Sequence, residues 1–194
     1  MSEQCSERVV VLVGPSGGGK SEVAAALERL GPIKRVITCT TRNPRAGEVD
    51  GREYHFLTRE EFSRKIFNGE FVEYDTTRAD LYGVLSEDIN KAVKSPYLAL
   101  LVLNIVGAEA VKRLYPGAQV FSIVAPIEQL VCRLNRRGDP DRIMGLPKEL
   151  QSLAGSCVRD TIYNFDGNLD GAVKQICRII NHRVGSTFEF KSLK

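Results

Sequence analysis

Short, almost uninterrupted apolar runs recur along the chain: Val9-Val10-Val11-Leu12-Val13, Tyr97-Leu98-Ala99-Leu100-Leu101-Val102-Leu103 and Gln119-Val120-Phe121-Ser122-Ile123-Val124. Runs of this length, bounded by turn formers, predict strands buried on both faces. Helical spacing follows each of them: over 22–30, up to Tyr115, and from Pro126 through Leu130 and Leu134. Strand and helix in alternation predict a parallel sheet wrapped by helices. Between about 35 and 90 the rhythm changes. Residues 33–38 predict a short strand, 40–51 a charged loop and 53–57 an aromatic-bearing strand. Thr58 and Glu61 form a capping box that opens a helix with Phe62, Ile66 and Phe67 inward, closed by Asn68-Gly69. Short strands over 70–76 and 81–84 and a helix capped by Ser86 complete this region. It reads as an insertion over the strand ends, where open parallel sheets bind ligands. From 138 to 155, Asp139-Pro140, Gly145 and Pro147 break any long helix and predict a loop or lid. A last strand over 161–164, an amphipathic helix over 169–182 and a loosely held tail from 183 to 194 finish the chain.

The turn after the first strand brings chemistry into this pattern. Gly14-Pro15-Ser16-Gly17-Gly18-Gly19-Lys20-Ser21 has the spacing of a phosphate-binding loop. Glycines let successive N–H groups point at an anion, and the helix start adds unpaired N–H groups and its positive dipole end. Lys20 is placed to bridge the β- and γ-phosphates of a nucleoside triphosphate, and the Ser21 hydroxyl to ligate Mg²⁺. With strand, spacing and helix all present, this outweighs an ordinary Gly-rich turn.

Composition narrows the class without naming it. The chain has 194 residues, 43% of them hydrophobic and 26% charged, as in a soluble globular protein. A net charge of +3 gives no case for nucleic acid. No apolar run approaches a membrane span, and the first eight residues lack the apolar core of a secretion signal. Cys5, Cys39, Cys132, Cys157 and Cys177 show no zinc or disulfide spacing and read as reduced thiols, several of them buried. A cytoplasmic protein, monomer or homodimer, is expected.

A second anion site is suggested by Thr40-Thr41-Arg42-x-Pro44-Arg45-x-Gly47-Glu48-x-Asp50-Gly51-x-Glu53-Tyr54-His55-Phe56. Two arginines three apart in a stiff loop can hold a doubly charged phosphate, although a solvated basic loop is the commoner outcome. Together with the Gly14–Ser21 turn, the Glu-Phe-x-Glu at 70–73 and Leu81-Tyr82-Gly83, this segment resembles the guanylate kinase family in order and spacing to about residue 180. The resemblance implies an α/β fold: an ATP-binding parallel core (1–34 and 91–194), a small mixed α/β nucleoside-monophosphate-binding insertion (35–90) and a lid at about 137–156. It implies ATP, Mg²⁺ and a purine nucleoside monophosphate as ligands. Arg42, Arg45, Tyr54 and Tyr82 would hold the monophosphate's phosphate, and Glu73 and Thr38 would face guanine. One carboxylate can accept from guanine's adjacent N1–H and N2–H₂ donors, whereas adenine presents an acceptor at N1. The resemblance implies catalytic roles, neutralising charge during phosphoryl transfer, for Lys20, Arg42, Arg133 and Arg137, the last two matching the family's arginines before the lid; Arg136 reads as surface, and His55 reads as structural.

Departures from the family pattern are equally plain. Where the family has two acids after the central strand, this chain has Val102-Leu103-Asn104, so Asn104 keeps a hydrogen bond but no charge. Val84 stands where the family has Ser or Thr, and Phe165 replaces an Asn near the adenine. After Arg137-Gly138 the paired lid arginine is missing, with Arg142 and Lys148 poor substitutes by spacing. The leading expectation is phosphorylation of GMP or dGMP by ATP. Alternatives are a kinase for a different or modified purine monophosphate and a catalytically weak binding module.

Overall fold

The computed structural model describes residues 7–77, 79–184 and 190. The apolar runs become β1 (Val9–Val13), β7 (Leu98–Val102) and β8 (Gln119–Val124). With β2 (Ile33–Arg35) and β9 (Asp160–Tyr163) they form one sheet in the order β2-β7-β1-β8-β9, every neighbouring pair parallel. Each residue of β1 is fully buried, and successive side chains alternate between two cores. Val10 and Leu12 pack with Leu27 of α1 (Lys20–Leu30) and Ile176 of α7 (Leu169–Val184). Val9, Val11 and Val13 pack on the other face with Val93 of α3 (Ser86–Lys94) and Val111 of α4 (Ile105–Leu114). Burial of both faces explains why these strands read as unbroken apolar runs rather than alternating ones.

A second sheet of mixed direction has the order β4 (Tyr54–Phe56), β3 (Thr38–Thr40), β6 (Asp80–Leu85), β5 (Phe71–Thr77). The single strand expected over 33–38 is therefore two: β2 ends at Arg35 in the first sheet, and β3 starts the second. Val36 completes the crossing by donating its N–H to Leu100 O at 2.8 Å. The Thr58–Glu61 capping box is present and opens α2 (Arg59–Phe67). Of the three residues expected on its inner face, Phe62 is fully buried and stacks on Phe71 at 4.4 Å, whereas Phe67 is 91% exposed. Phe67 is the last residue of the helix, beyond the stripe that meets the sheet. Ser86 is the first residue of α3 rather than its cap, a position held by Leu85.

Segment 138–155 is more ordered than its turn residues suggest. Pro140–Gly145 forms a 3₁₀ turn and Leu146–Leu153 the short helix α6, with Pro147 in its first turn where its missing N–H costs nothing. Ile143 and Leu146 pack against Leu130 and Leu134 of α5 (Ile127–Arg136). Of the tail, Arg183 and Val184 continue α7 and Phe190 packs on the first core, while 185–189 and 191–194 lie outside the described residues. The beginning of the chain, 1–6, also lies outside them. Among the described residues no helix is long and apolar enough to cross a membrane. Cys39 and Cys177 are buried free thiols, Cys157 is half-buried, Cys132 is exposed, and Cys5 lies outside the described residues.

Phe62→Ala is expected to destabilise the protein by about 3–5 kcal/mol and Phe67→Ala by less than about 0.5 kcal/mol. Urea unfolding midpoints of the two variants check both values.

Candidate functional site

Main-chain geometry sets the shape of the turn between β1 and α1. A Cβ at Gly14 would lie 2.2 Å from Ile123 O of β8, so only glycine lets the turn leave the sheet there. Gly18 N donates to Pro15 O at 3.1 Å, and the buried Asn164 donates from Nδ2 to Gly18 O at 3.0 Å. Gly19 caps α1 without a side-chain cap, leaving the first-turn N–H groups open at the positive end of the helix. Ser21 lies exposed in that turn.

Two side chains already occupy this cradle. Lys20 Nζ donates to Gly14 O at 2.8 Å and Pro15 O at 3.0 Å. Burial lowers its pKa to about 8, a fall that Glu149 opposes and that Arg142 and Arg137 reinforce. Glu149 of α6 accepts from Ser16 N at 2.5 Å, with its other oxygen accepting from Ser16 Oγ at 3.2 Å. A carboxylate thus takes a loop amide that would otherwise face a phosphate oxygen. Arg142 Nη1 donates to the same Ser16 Oγ at 3.1 Å.

The structure brings Arg42, Arg45, Tyr54 and Tyr82 close to one another. Arg42 lies over the Tyr54 ring at 5.5 Å, and the Tyr54 and Tyr82 rings meet edge-on at 6.1 Å. Glu48 acts as a counter-ion inside the group. Its two oxygens accept from Arg42 Nη2 at 3.0 and 2.9 Å, and one also accepts from Arg45 N at 2.7 Å. Asp139 joins the two anion sites. It accepts from Arg137 Nη2 at 2.9 Å and Arg45 Nη2 at 3.4 Å, and lies 3.0 Å from Arg142 Nε.

Arg133 is placed differently from the other arginines. It braces the back of the loop, donating to Gly17 O at 3.1 Å, Asn164 O at 2.8 Å and Asp166 Oδ1 at 2.8 Å. Arg136 is exposed. Thr38 pairs with Tyr54 across β3 and β4, and His55 lies 3.7 Å from Asp88, in a hollow it shares with Val36 and Ile37.

At the far end of the cleft, β5 slips by one residue against β6 between Phe71 and Glu73. Glu73 presses against the first turn of α4: a Cβ at Gly107 would lie 2.5 Å from Glu73 Oε1. Its Oε2 is buried without a hydrogen-bond partner. Burial, and next the charge of Asp75, push its pKa up to about 7. Asn104 caps α4 by accepting from Gly107 N at 2.8 Å and donates from Nδ2 to Asp75 Oδ2 at 2.9 Å. Asp75 therefore brings a negative charge to the turn from which the two family acids are missing. Val102 packs on the first core and Val84 is fully buried in the second.

Sequence reasoning missed the counter-ions Glu48, Asp139 and Glu149, together with Asp75 and the buried Asn164. Only Glu48 lay inside a recognised motif. Among the described residues no cluster of three His, Cys, Asp or Glu side chains could hold a metal. The arrangement suits binding two anions that face one another, one on main-chain amides and one on guanidinium groups.

A family model described as "Guanylate kinase" matches residues 6–183. Guanylate kinase of Clostridium perfringens strain 13 is 34% identical over 181 residues, 89% of this chain and 82% of that protein. Guanylate kinase of Chlorobaculum tepidum is 39% identical over 133 residues, 67% and 68% of the two chains. The crystal structure of guanylate kinase from Anaplasma phagocytophilum superposes with a TM-score of 0.74 at 27% identity, covering 92% of this chain and 87% of that one.

Glu149→Ala is expected to tighten ATP binding about tenfold, because a charge-assisted hydrogen bond no longer has to be exchanged. Calorimetric titration of the wild type and variant with ATP checks the direction.

Proposed function

Because the chain belongs to the guanylate kinase family, we propose that it transfers the γ-phosphoryl group of ATP to GMP or dGMP, giving ADP and the nucleoside diphosphate. One observation carries this reading. Arg45 of the monophosphate loop and Arg142, which touches the triphosphate loop, converge on the single carboxylate of Asp139. The two anion sites are thus close enough for their phosphates to meet. Phosphoryl transfer needs such positioning and charge neutralisation more than a strong base.

On this reading, 1–34 and 91–194 are the ATP-binding core, 35–90 the monophosphate-binding insertion and about 137–156 the lid. The presence of two separate sheets supports that division. Gly14 through Ser21 cradle the triphosphate, with Lys20 released from its two carbonyls to the phosphates. Arg42, Arg45, Tyr54 and Tyr82 hold the acceptor phosphate once Glu48 and Asp139 let go. Arg137 adds charge at the lid's base, and Arg133 stiffens the loop from behind. Thr38, Glu73 and Asn104 form the base end, where Glu73 accepts from N1–H and N2–H₂ of guanine. The buried, unpartnered Oε2 of Glu73 supports that role.

The exposed Ser21 hydroxyl is the loop's own donor for Mg²⁺. A site that offers the Ser21 oxygen, with no cluster of three carboxylates among the described residues, would fit an ion that keeps most of its waters. When bound, Mg²⁺ supplies charge neutralisation at the substrate phosphates. The free thiols of Cys39 and Cys177, buried and unpaired with one another, support a cytoplasmic setting.

Release of ADP from ATP–Mg²⁺ with a panel of ribo- and deoxynucleoside monophosphates tests the reading, wild type beside Lys20→Ala. GMP or dGMP turnover that requires Lys20 is expected. Turnover confined to another monophosphate contradicts the base assignment.

The raised pKa of Glu73 adds a pH signature. The free carboxyl titrates near 7, and only its ionised form accepts both guanine donors. GMP affinity is therefore expected to rise about tenfold between pH 6 and 8. Much of that rise should vanish in Glu73→Gln, where only titration of the substrate phosphate remains. A titration series at fixed ionic strength measures both.

A further inference from the structure

Arg142 has surroundings unlike those of the other cleft arginines. Its 3₁₀ turn is fixed by Ile143 and Leu146, which pack on Leu130 and Leu134 of α5. From that base Nη1 reaches Ser16 Oγ on the phosphate loop at 3.1 Å. Its Nε lies 3.0 Å from Asp139 Oδ2 but is not aligned to donate to it, and is buried with no hydrogen-bond acceptor. A buried guanidinium N–H without an acceptor is rare and points to an anion that completes it. The alternatives in the lid do not share these properties. Arg137 is 47% exposed and touches Asp139 rather than the loop. Lys148 is exposed.

We propose that Arg142 is the arginine this lid contributes to phosphoryl transfer, replacing the paired arginine missing after Arg137-Gly138. The assignment rests on the kinase reading given above. In the step, an oxygen of the acceptor monophosphate forms a bond to the γ-phosphorus while the bond from that phosphorus to the β–γ bridging oxygen breaks. The electron pair leaves with ADP, and no proton transfer to the protein is required. Arg142 donates to oxygens of the transferring group, where negative charge is held between the two nucleotides. A 3₁₀ turn anchored on α5 thus does what a different spacing does in the family pattern.

The test is steady-state kinetics with ATP–Mg²⁺ and GMP for wild type, Arg142→Ala, Arg142→Lys and Lys148→Ala. A second readout is formation of the ADP–GMP–aluminium fluoride complex, which mimics the transferring phosphoryl group. Arg142→Ala should lose about 10²- to 10³-fold in kcat, with KM for each nucleotide within about threefold of wild type. It should bind ADP and GMP singly yet fail to assemble the fluoride complex, while Lys148→Ala stays within about twofold in kcat. Arg142→Ala with kcat near wild type overturns the assignment and leaves the kinase reading standing. Wild type without GMP or dGMP turnover overturns the reading and the assignment with it. If Arg142→Ala does not fold, Arg142→Lys decides: the forked donor is lost, so kcat equal to wild type refutes the role.

Discussion

Everything in the cleft is referred to the contact between the β1–α1 turn and the carbonyl of Ile123. That oxygen would lie 2.2 Å from a Cβ at Gly14 and 2.6 Å from one at Gly18, so the loop is moulded against the end of β8. Asn164 and Arg133 hold it from the other side through Gly18 O and Gly17 O. Three sequentially distant elements thereby fix where the amides point before any ligand arrives. Preorganisation of this kind lets main-chain dipoles act on phosphate oxygens without a reorganisation cost during the reaction.

Legibility in the sequence tracked how local each determinant was. β1, the loop and α1 were readable because strand, glycine spacing and helix lie in one continuous stretch. The capping box at Thr58 was readable for the same reason. The split of 33–38 between two sheets was not, because no glycine, proline or other turn former marks the point after Arg35 where the chain changes sheets. Phe67 was misassigned because helical periodicity says nothing about where the partner sheet ends. The counter-ions were the least visible. Glu149 and Ser16 are 133 residues apart, and Asp139 and Arg45 are 94 apart. No spacing rule joins such pairs; only the packing of the 139–153 segment on α5 does.

The far end of the cleft shows how a lost charge can be recovered from another element. Val102 and Asn104 remove the family's acids, yet Asp75 on β5 approaches Asn104 through the strand slip between Phe71 and Glu73. The site therefore keeps two carboxylates close to the first turn of α4, one of which is held partly protonated near neutrality by burial and by the other. A motif comparison alone overstates the chemical change here, because it compares positions and not places.

Glu48, Asp139 and Glu149 give each cationic surface of the cleft a tethered occupant. A tethered group competes at an effective concentration set by its short leash, which reaches the millimolar range or above. A small free anion, such as orthophosphate or sulfate, must outcompete such an occupant with one point of attachment. A nucleotide brings a base and several phosphate oxygens and meets the competition at many points together. Binding at either site is therefore an exchange of carboxylate for phosphate, an exchange in which many points of attachment count for more than one.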